Sequence, residues 1–258
     1  MTARLHPTAI IDPDAELGTD VAIGPYALIG PRVTVGDSTK IGAHAIIEQN
    51  TRLGHRCAVG SGAILGSDPQ DLKFAGERTW LEIGDDTIIR EYSTIHRGTR
   101  ARGKTTVGRS CFLMTYVHVA HDCVLEEHVT LANSVQLAGH VHIEEHATVG
   151  GSSPIHQFVR IGRYAFIGGG SRVPQDVPPY TRAAGNPLKL YGINTIGLTR
   201  AGLSPEVRLA LKHAYRLLFN SDLTTSEAVQ LLRQGSDQPA EVMHLVEFLA
   251  RSERGVLV

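Results

Sequence analysis

Residues 107–149 read VGRSCFLMTYVHVAHDCVLEEHVTLANSVQLAGHVHIEEHATV, and an aliphatic residue returns at every sixth place: Val107, Leu113, Val119, Leu125, Leu131, Leu137, Ile143 and Val149. Followed outward in both directions, the same phase runs from Leu5 to Val173. Of the 29 positions in that series 26 are Ile, Leu or Val, and the exceptions are Asp71, Glu77 and Ala101. A period of six matches neither the face of an α-helix, about 3.6, nor the alternation of a plain strand, about 2. It describes a solenoid built from six-residue sides. Glycine often follows the aliphatic residue, as at Gly24, Gly42, Gly60, Gly108 and Gly150, where it is expected to let the chain bend at a corner without a Cβ penalty.

Composition agrees with such a lattice. The 258 residues include 27 glycines and only 5% aromatic side chains, so stacked aliphatic residues rather than large rings must fill the interior. A net charge of -1 gives no global attraction to nucleic acid or anionic lipid. Three cysteines without a CxxC pair indicate neither a disulfide framework nor a structural zinc site. The N-terminus lacks an apolar signal segment and no apolar run approaches about 18 residues, so a soluble, cytoplasmic protein with no integral membrane segment is expected.

The aliphatic phase lapses in SDPQDLKFAGERTW (67–80) and RGTRARGKT (97–105). Both are expected to be loops pushed out from the solenoid, and such excursions from a rigid scaffold often carry function. After Val173 the repeat stops, and VPPYTRAAGNP forms an exit into a helical region. Ser204 before Pro205 and Glu206 is an N-cap signal, Thr224 with Glu227 reads as a capping box, and a last helix is expected over 239–252. This divides the chain into a β-solenoid over 1–186 and a C-terminal helical domain over 187–258, whose helices are expected to bury the open end of the solenoid.

GTRARGKT (98–105) matches a phosphate-loop pattern letter for letter. That motif works only where a helix N-terminus follows it, whereas here the next residues return to the six-residue phase. The reading is rejected. Arg97, Arg100, Arg102, Lys104 and Arg109 still form a local basic cluster, either a solvated loop or a docking surface for an acidic partner.

Thirteen histidines are too many to be sites, and most are expected at solenoid corners. With coils stacked one above another, His121 comes to lie beneath Gly139 and Asp122 beneath His140. A histidine beside a carboxylate, below a glycine offering a backbone N–H, supplies a general base and an oxyanion donor for acyl transfer. Structural histidines are the plain alternative. No GxSxG elbow or suitable cysteine indicates a covalent acyl-enzyme.

The six-residue repeat resembles that of the hexapeptide-repeat acyltransferases, which implies a mainly β fold, a left-handed parallel β-helix with three hexads per coil. PQDLKFAGE (69–77), TIHRGT (94–99), HVAHDC (118–123), LAGHV (137–141), IHQF (155–158), QDVPPY (175–180) and the GNP and GIN segments (185–194) together resemble the UDP-N-acetylglucosamine acyltransferases over essentially the whole chain. The resemblance implies transfer of an (R)-3-hydroxyacyl group from acyl carrier protein to the 3-hydroxyl of UDP-N-acetylglucosamine, the first step of lipid A synthesis, in a homotrimer. No cofactor is bound in that reading, the acyl-phosphopantetheine being presented by the carrier protein, and no metal takes part.

By the same resemblance His121 is the general base, Asp122 orients it and Gly139 supplies the oxyanion N–H. Asp71, Lys73, His118, His140 and His156 surround the sugar and acyl groups, Gln157 is a nucleotide-side contact, and Asn194 and Arg200 approach the nucleotide. Gly169, with Met114, belongs to the acyl-chain groove. Pro187, Ile196 and Ala201 depart from the family pattern around the GN and GIN segments. Two rivals remain: a γ-carbonic-anhydrase-like zinc enzyme, for which the H-x4-H pair is missing, and a non-catalytic trimeric docking module. Gly169→Met is expected to shift chain preference toward shorter acyl groups, measured with a panel of acyl carrier protein thioesters; unchanged selectivity would remove Gly169 from the groove.

Overall fold

In the computed structural model, which describes residues 4–235 and 238–257, the six-residue sides are short parallel strands on three faces of a prism. The first face starts with Arg4–Leu5 and Ala22–Ile23, the second with Ile10–Ile11 and Leu28–Ile29, and the third with Glu16–Leu17 and Thr34–Val35. Among the described residues they hold eleven, eight and eight strands respectively. Most strands are two residues long and point the second inward, which is why the sequence shows one aliphatic residue per six. Ile29, Ile47, Leu65, Leu113, Leu131 and Leu137 are among the fully buried members of the continuous core.

Register explains why the two loops do not disturb the fold. Leu65 pairs with Ile47 below it, eighteen residues back, but with Ile95 above it, thirty residues on, so the first excursion adds twelve residues. Ile95 then pairs with Val119, twenty-four on, so the second adds six. Each insertion is a whole number of hexads, and the aliphatic phase survives it. A one-residue slip would turn the inward side chains outward.

The corner glycines have a different cause from the one expected. Among those following an aliphatic residue, Gly36, Gly60 and Gly84 have no left-handed backbone; a Cβ on them would meet backbone atoms of the next coil at 2.5 Å. They are glycine because coils approach closely there. The left-handed residue comes two places later and carries a side chain, as at Tyr26 (φ 56), His44 (φ 56), Asp122 (φ 60) and His140 (φ 63). Such a conformation costs a non-glycine residue roughly 1–2 kcal/mol. Stacking of these side chains along each corner offsets it: Tyr26 on His44 at 5.1 Å, His128 on His146 at 4.7 Å, His140 on Phe158 at 4.5 Å.

The exit from the solenoid contains more order than a Pro- and Gly-rich segment suggests. Thr181–Ala184 adds to the first face and pairs antiparallel with Lys189–Ile193. Four helices follow among the described residues: α1 (Thr195–Arg200), α2 (Pro205–Phe219), α3 (Thr225–Gln234) and α4 (Ala240–Ala250). Ser204 caps α2, Thr224 and Glu227 form the capping box of α3, and α1, with Asn194 as its cap, was not anticipated. The helices do not themselves plug the prism. Its end is closed by Val173, Val177, Ala183, Leu188 and the C-terminal Leu257, while the helices bury Leu198, Leu211, Leu218, Val242 and Leu245 in a core of their own. No helix among the described residues is long and apolar enough to cross a membrane.

Leu113, fully buried midway along the prism, is expected to cost about 2–5 kcal/mol when replaced by Ala. Exposed Lys40→Ala on the same face should change stability by less than about 0.5 kcal/mol. Denaturant titration of both variants checks the contrast.

Candidate active site

The corner between the second and third faces carries both excursions, 68–79 and 97–103, and above them the turns holding His121–Asp122, Gly139–His140 and His156–Gln157. The stacking puts His140 N–H on the His121 carbonyl at 3.0 Å and Phe158 N–H on the Gly139 carbonyl at 3.1 Å. His121 Nδ1 lies 2.9 Å from Asp122 Oδ2. The other edge of the ring packs on Gly139, where a Cβ would fall 2.6 Å from His121 Cε1 and 2.8 Å from Nε2. Only glycine leaves room for this imidazole. The Gly139 N–H donates to no acceptor among the described residues, and the fold does not need it: the same turn position five and six coils below is Pro31 and Pro13, which have no N–H.

Asp122 is held more firmly than anything in the sequence suggested. It is 2% exposed, and its carboxylate accepts from Thr99 N–H at 3.0 Å and from Thr99 Oγ1 at 2.7 Å. Its own N–H donates to Thr105 Oγ1 at 2.8 Å. Both threonines belong to the GTRARGKT stretch, which runs on into the strand Lys104–Val107 rather than a helix. In this geometry the loop clamps a carboxylate and lacks the following helix that a phosphate loop requires. With Asp122 fixed, Nδ1 of His121 is directed toward it and Nε2 toward Gly139 and the open side.

Around this pair the side chains are kept neutral or polarised by burial. Burial pushes His118 from 6.5 down to about 4, helped by neighbouring His96, and its Nδ1 lies 2.7 Å from Thr94 Oγ1. Burial also lowers His96 and His140; for His140 the charges of Asp122 and Asp71 work in the opposite direction. Asp71 and Lys73 therefore overhang the same corner, on an excursion whose turn is fixed by Lys73 N–H on Asp71 Oδ1 at 3.0 Å.

The remaining sequence-selected residues are spread over all three corners. His156 and Gln157 are exposed one coil above Gly139, with His156 Nδ1 2.7 Å from Arg254 Nη2. Met114 and Gly169 lie at the corner between the first and second faces, where Gly169 stacks on the Gly151 backbone. Asn194 and Arg200 line a cavity of about 610 Å³ with His146, Tyr164, Ile196 and Ala201, by the corner between the third and first faces. Within one chain the third face separates them from His121. The Asn194 amide is already engaged, capping α1 through Gly197 N–H and donating to the Tyr164 carbonyl.

The basic cluster is largely neutralised. Arg97 is 3% exposed, pairs with Asp68 and donates to the Gly66 carbonyl at 3.1 Å; Lys104 pairs with Glu82 at 2.6 Å and Arg109 with Glu127 at 2.7 Å. Arg97 is thus no solvated loop residue. Together with His96, whose Nδ1 is 2.6 Å from the Asp68 carbonyl, it ties the 68–79 excursion to the prism. Arg100 and Arg102 are left exposed. Thr99, Thr105, Arg97 and Arg254 are the functional-site neighbours that sequence reasoning missed. The TIHRGT run contained the first and third, but only folding shows which carboxylate each meets.

Residues 176–257 match a family model described as UDP N-acetylglucosamine O-acyltransferase, domain 2. A Thermodesulfovibrio yellowstonii protein named acyl-[acyl-carrier-protein]--UDP-N-acetylglucosamine O-acyltransferase is 47% identical, with 98% of each chain covered. A protein of the same name from Alkalilimnicola ehrlichii is 48% identical over 98% of this chain and 99% of its own. Among solved structures, the UDP-N-acetylglucosamine O-acyltransferase of Moraxella catarrhalis superposes with a TM-score of 0.95 at 43% identity, covering 100% of both chains.

The depressed His118 has a measurable consequence. Between 6.5 and about 4 the unfolded chain binds a proton at this residue that the folded chain does not, so stability falls as pH drops through that window and levels off below it. Melting temperature followed from pH 7 to pH 4 should decline, and less steeply for His118→Gln.

Proposed function

The chain belongs to the UDP-N-acetylglucosamine O-acyltransferases, and on that premise we propose a residue-level mechanism for its reaction. The protein transfers an acyl group from acyl carrier protein to UDP-N-acetylglucosamine, the step that opens lipid A synthesis. This supersedes the zinc-hydratase and docking-module alternatives. The observation carrying the mechanism is the His121 ring, bonded to buried Asp122 on one edge and packed on Gly139 on the other.

His121 Nε2 takes the proton of the glucosamine 3-hydroxyl as that oxygen attacks the thioester carbonyl carbon. The negative charge that develops on the carbonyl oxygen is met by the Gly139 N–H, a donor already in place and unused by the fold. Asp122 holds the ring in the tautomer with Nε2 free and stabilises the imidazolium. Collapse of the tetrahedral species expels the phosphopantetheine thiolate, which recovers the proton from Nε2. No acyl-enzyme forms, and no resident cofactor is needed.

Asp71, Lys73, His118, His140 and His156 bracket the sugar and acyl groups in this reading. Neutral His118 suits an apolar acyl neighbour better than an imidazolium would. Gln157, Asn194 and Arg200 meet the nucleotide, and Met114 and Gly169 the acyl chain, here a 3-hydroxyacyl group. Gln157 shares the corner of His121, whereas Asn194 and Arg200 lie at another, so in this reading a second copy of the chain brings Asn194 and Arg200 to His121. A homotrimer with shared sites satisfies this requirement.

Transfer from (R)-3-hydroxyacyl carrier proteins to UDP-N-acetylglucosamine tests the mechanism. His121→Ala is expected to lose roughly 10²–10⁴-fold in kcat; activity within a few fold of native would remove His121 as base. Thr99→Val, which keeps the backbone N–H to Asp122 but deletes the hydroxyl, should lower kcat about tenfold with KM little changed.

A further inference from the structure

His121, Asp122 and His140 place three ligand-type atoms within 4.8 Å of one another. We propose that these three side chains bind a first-row divalent transition ion, Zn²⁺ being the reference case, and that its binding reversibly switches acyl transfer off. The inhibitory part rests on His121 being the base; the binding part does not.

Geometry supports a chelate. His121 Nδ1 to Asp122 Oδ2 is 2.9 Å and His140 Nε2 to the same oxygen is 3.7 Å. Zinc–nitrogen and zinc–oxygen bonds of about 2.0–2.2 Å in a tetrahedron put neighbouring ligand atoms roughly 3.3–3.5 Å apart. The two observed separations straddle that spacing, so small ring rotations admit an ion. The His121 and His140 rings stand 5.1 Å apart at 90°, which lets one nitrogen of each converge without a clash of ring faces. Asp122 is already oriented by Thr99 N–H and Oγ1, the outer-shell support that metal-binding carboxylates commonly have. Two imidazoles and one carboxylate favour Zn²⁺, Ni²⁺ or Cu²⁺ over Mg²⁺ and Ca²⁺. His140 is partly exposed, which leaves solvent access for a fourth ligand.

Inhibition follows from proton placement. In the catalytic arrangement the Nδ1 proton of His121 is donated to Asp122 and the Nε2 lone pair is free. A metal on Nδ1 forces the single proton of the neutral ring onto Nε2, the atom that must accept the hydroxyl proton. Asp122 is consumed as a ligand in the same event. Ion binding and general-base catalysis therefore exclude one another at His121.

The experiment is Zn²⁺ titration of the full-length protein by calorimetry, with Co²⁺ absorption as a second readout and acyl transfer assayed in parallel. One ion per chain is expected, with the dissociation constant raised at least tenfold in Asp122→Asn and in His140→Asn. The latter substitution suits the left-handed backbone at that residue. His128→Gln, which breaks the stacked His128–His146 pair at another corner, should leave binding unchanged. Zn²⁺ should abolish transfer, a chelator should restore it, and Mg²⁺ should do neither. Binding insensitive to His140→Asn, or a Zn²⁺-loaded protein that still transfers acyl groups, would overturn the proposal. A metal-free His121→Ala variant that still transfers acyl groups at near-native rate would instead overturn the role of His121, while the titrations still decide the site.

Discussion

Backbone hydrogen bonds between successive coils, such as Ala22 N–H to the Thr39 carbonyl at 3.0 Å and His118 N–H to the Val135 carbonyl at 2.9 Å, hold every turn of the prism over the one below. The rest of the structure depends on that register. Because it recurs every eighteen residues outside the two excursions, side chains eighteen apart there share an edge of the prism, and chemistry can be assembled from residues distant in sequence. His121 under Gly139, and Asp122 under His140, are consequences of this spacing. The close approach of coils also dictates where glycine is obligatory and where corner side chains must stack.

The excursions show how a rigid lattice acquires a specific site. Insertions of twelve and six residues leave the aliphatic phase intact, so the loops can vary without penalty to the core. Each loop serves the same corner in a different way. The longer one brings Asp71 and Lys73 over it, anchored through Arg97 and His96. The shorter one reaches Asp122 with Thr99 and removes that carboxylate from water. Burying a charge is unfavourable unless hydrogen bonds replace its hydration, and three donors from Thr99 and His121 do so here. A carboxylate fixed in this way can orient an imidazole through a whole reaction cycle, and the same fixation makes it a competent metal ligand.

The helical region is coupled to the prism by polar contacts as well as by apolar packing against Tyr164 and Tyr180. His244 of α4 lies 3.1 Å from buried Glu144 and 3.0 Å from Tyr180 Oη, and Ser252 donates to Asp176 at 2.7 Å. Capping signals were readable for α2 and α3 because Ser204, Thr224 and Glu227 act on neighbours within a few residues. The cap of α1 was missed, since Asn194 sits in a segment read as a site motif, whereas its amide accepts from Gly197 N–H and donates to the Tyr164 carbonyl.

The sequence by itself determined the solenoid, because one aliphatic residue in six is a local rule repeated 26 times. It also determined the His121–Gly139 pairing, because a strict period turns spacing into position. It could not determine what glycine was for, since tight coil contact and left-handed backbone leave the same letter in the chain. Nor could it distinguish a phosphate loop from a carboxylate clamp in GTRARGKT, or a solvated Arg97 from a buried anchor. Those outcomes depend on which side chain lies across a corner, twenty to thirty residues away through irregular loops that follow no period. Only the tertiary structure decided them, and it alone showed that Asn194 and Arg200 stand at a different corner from His121.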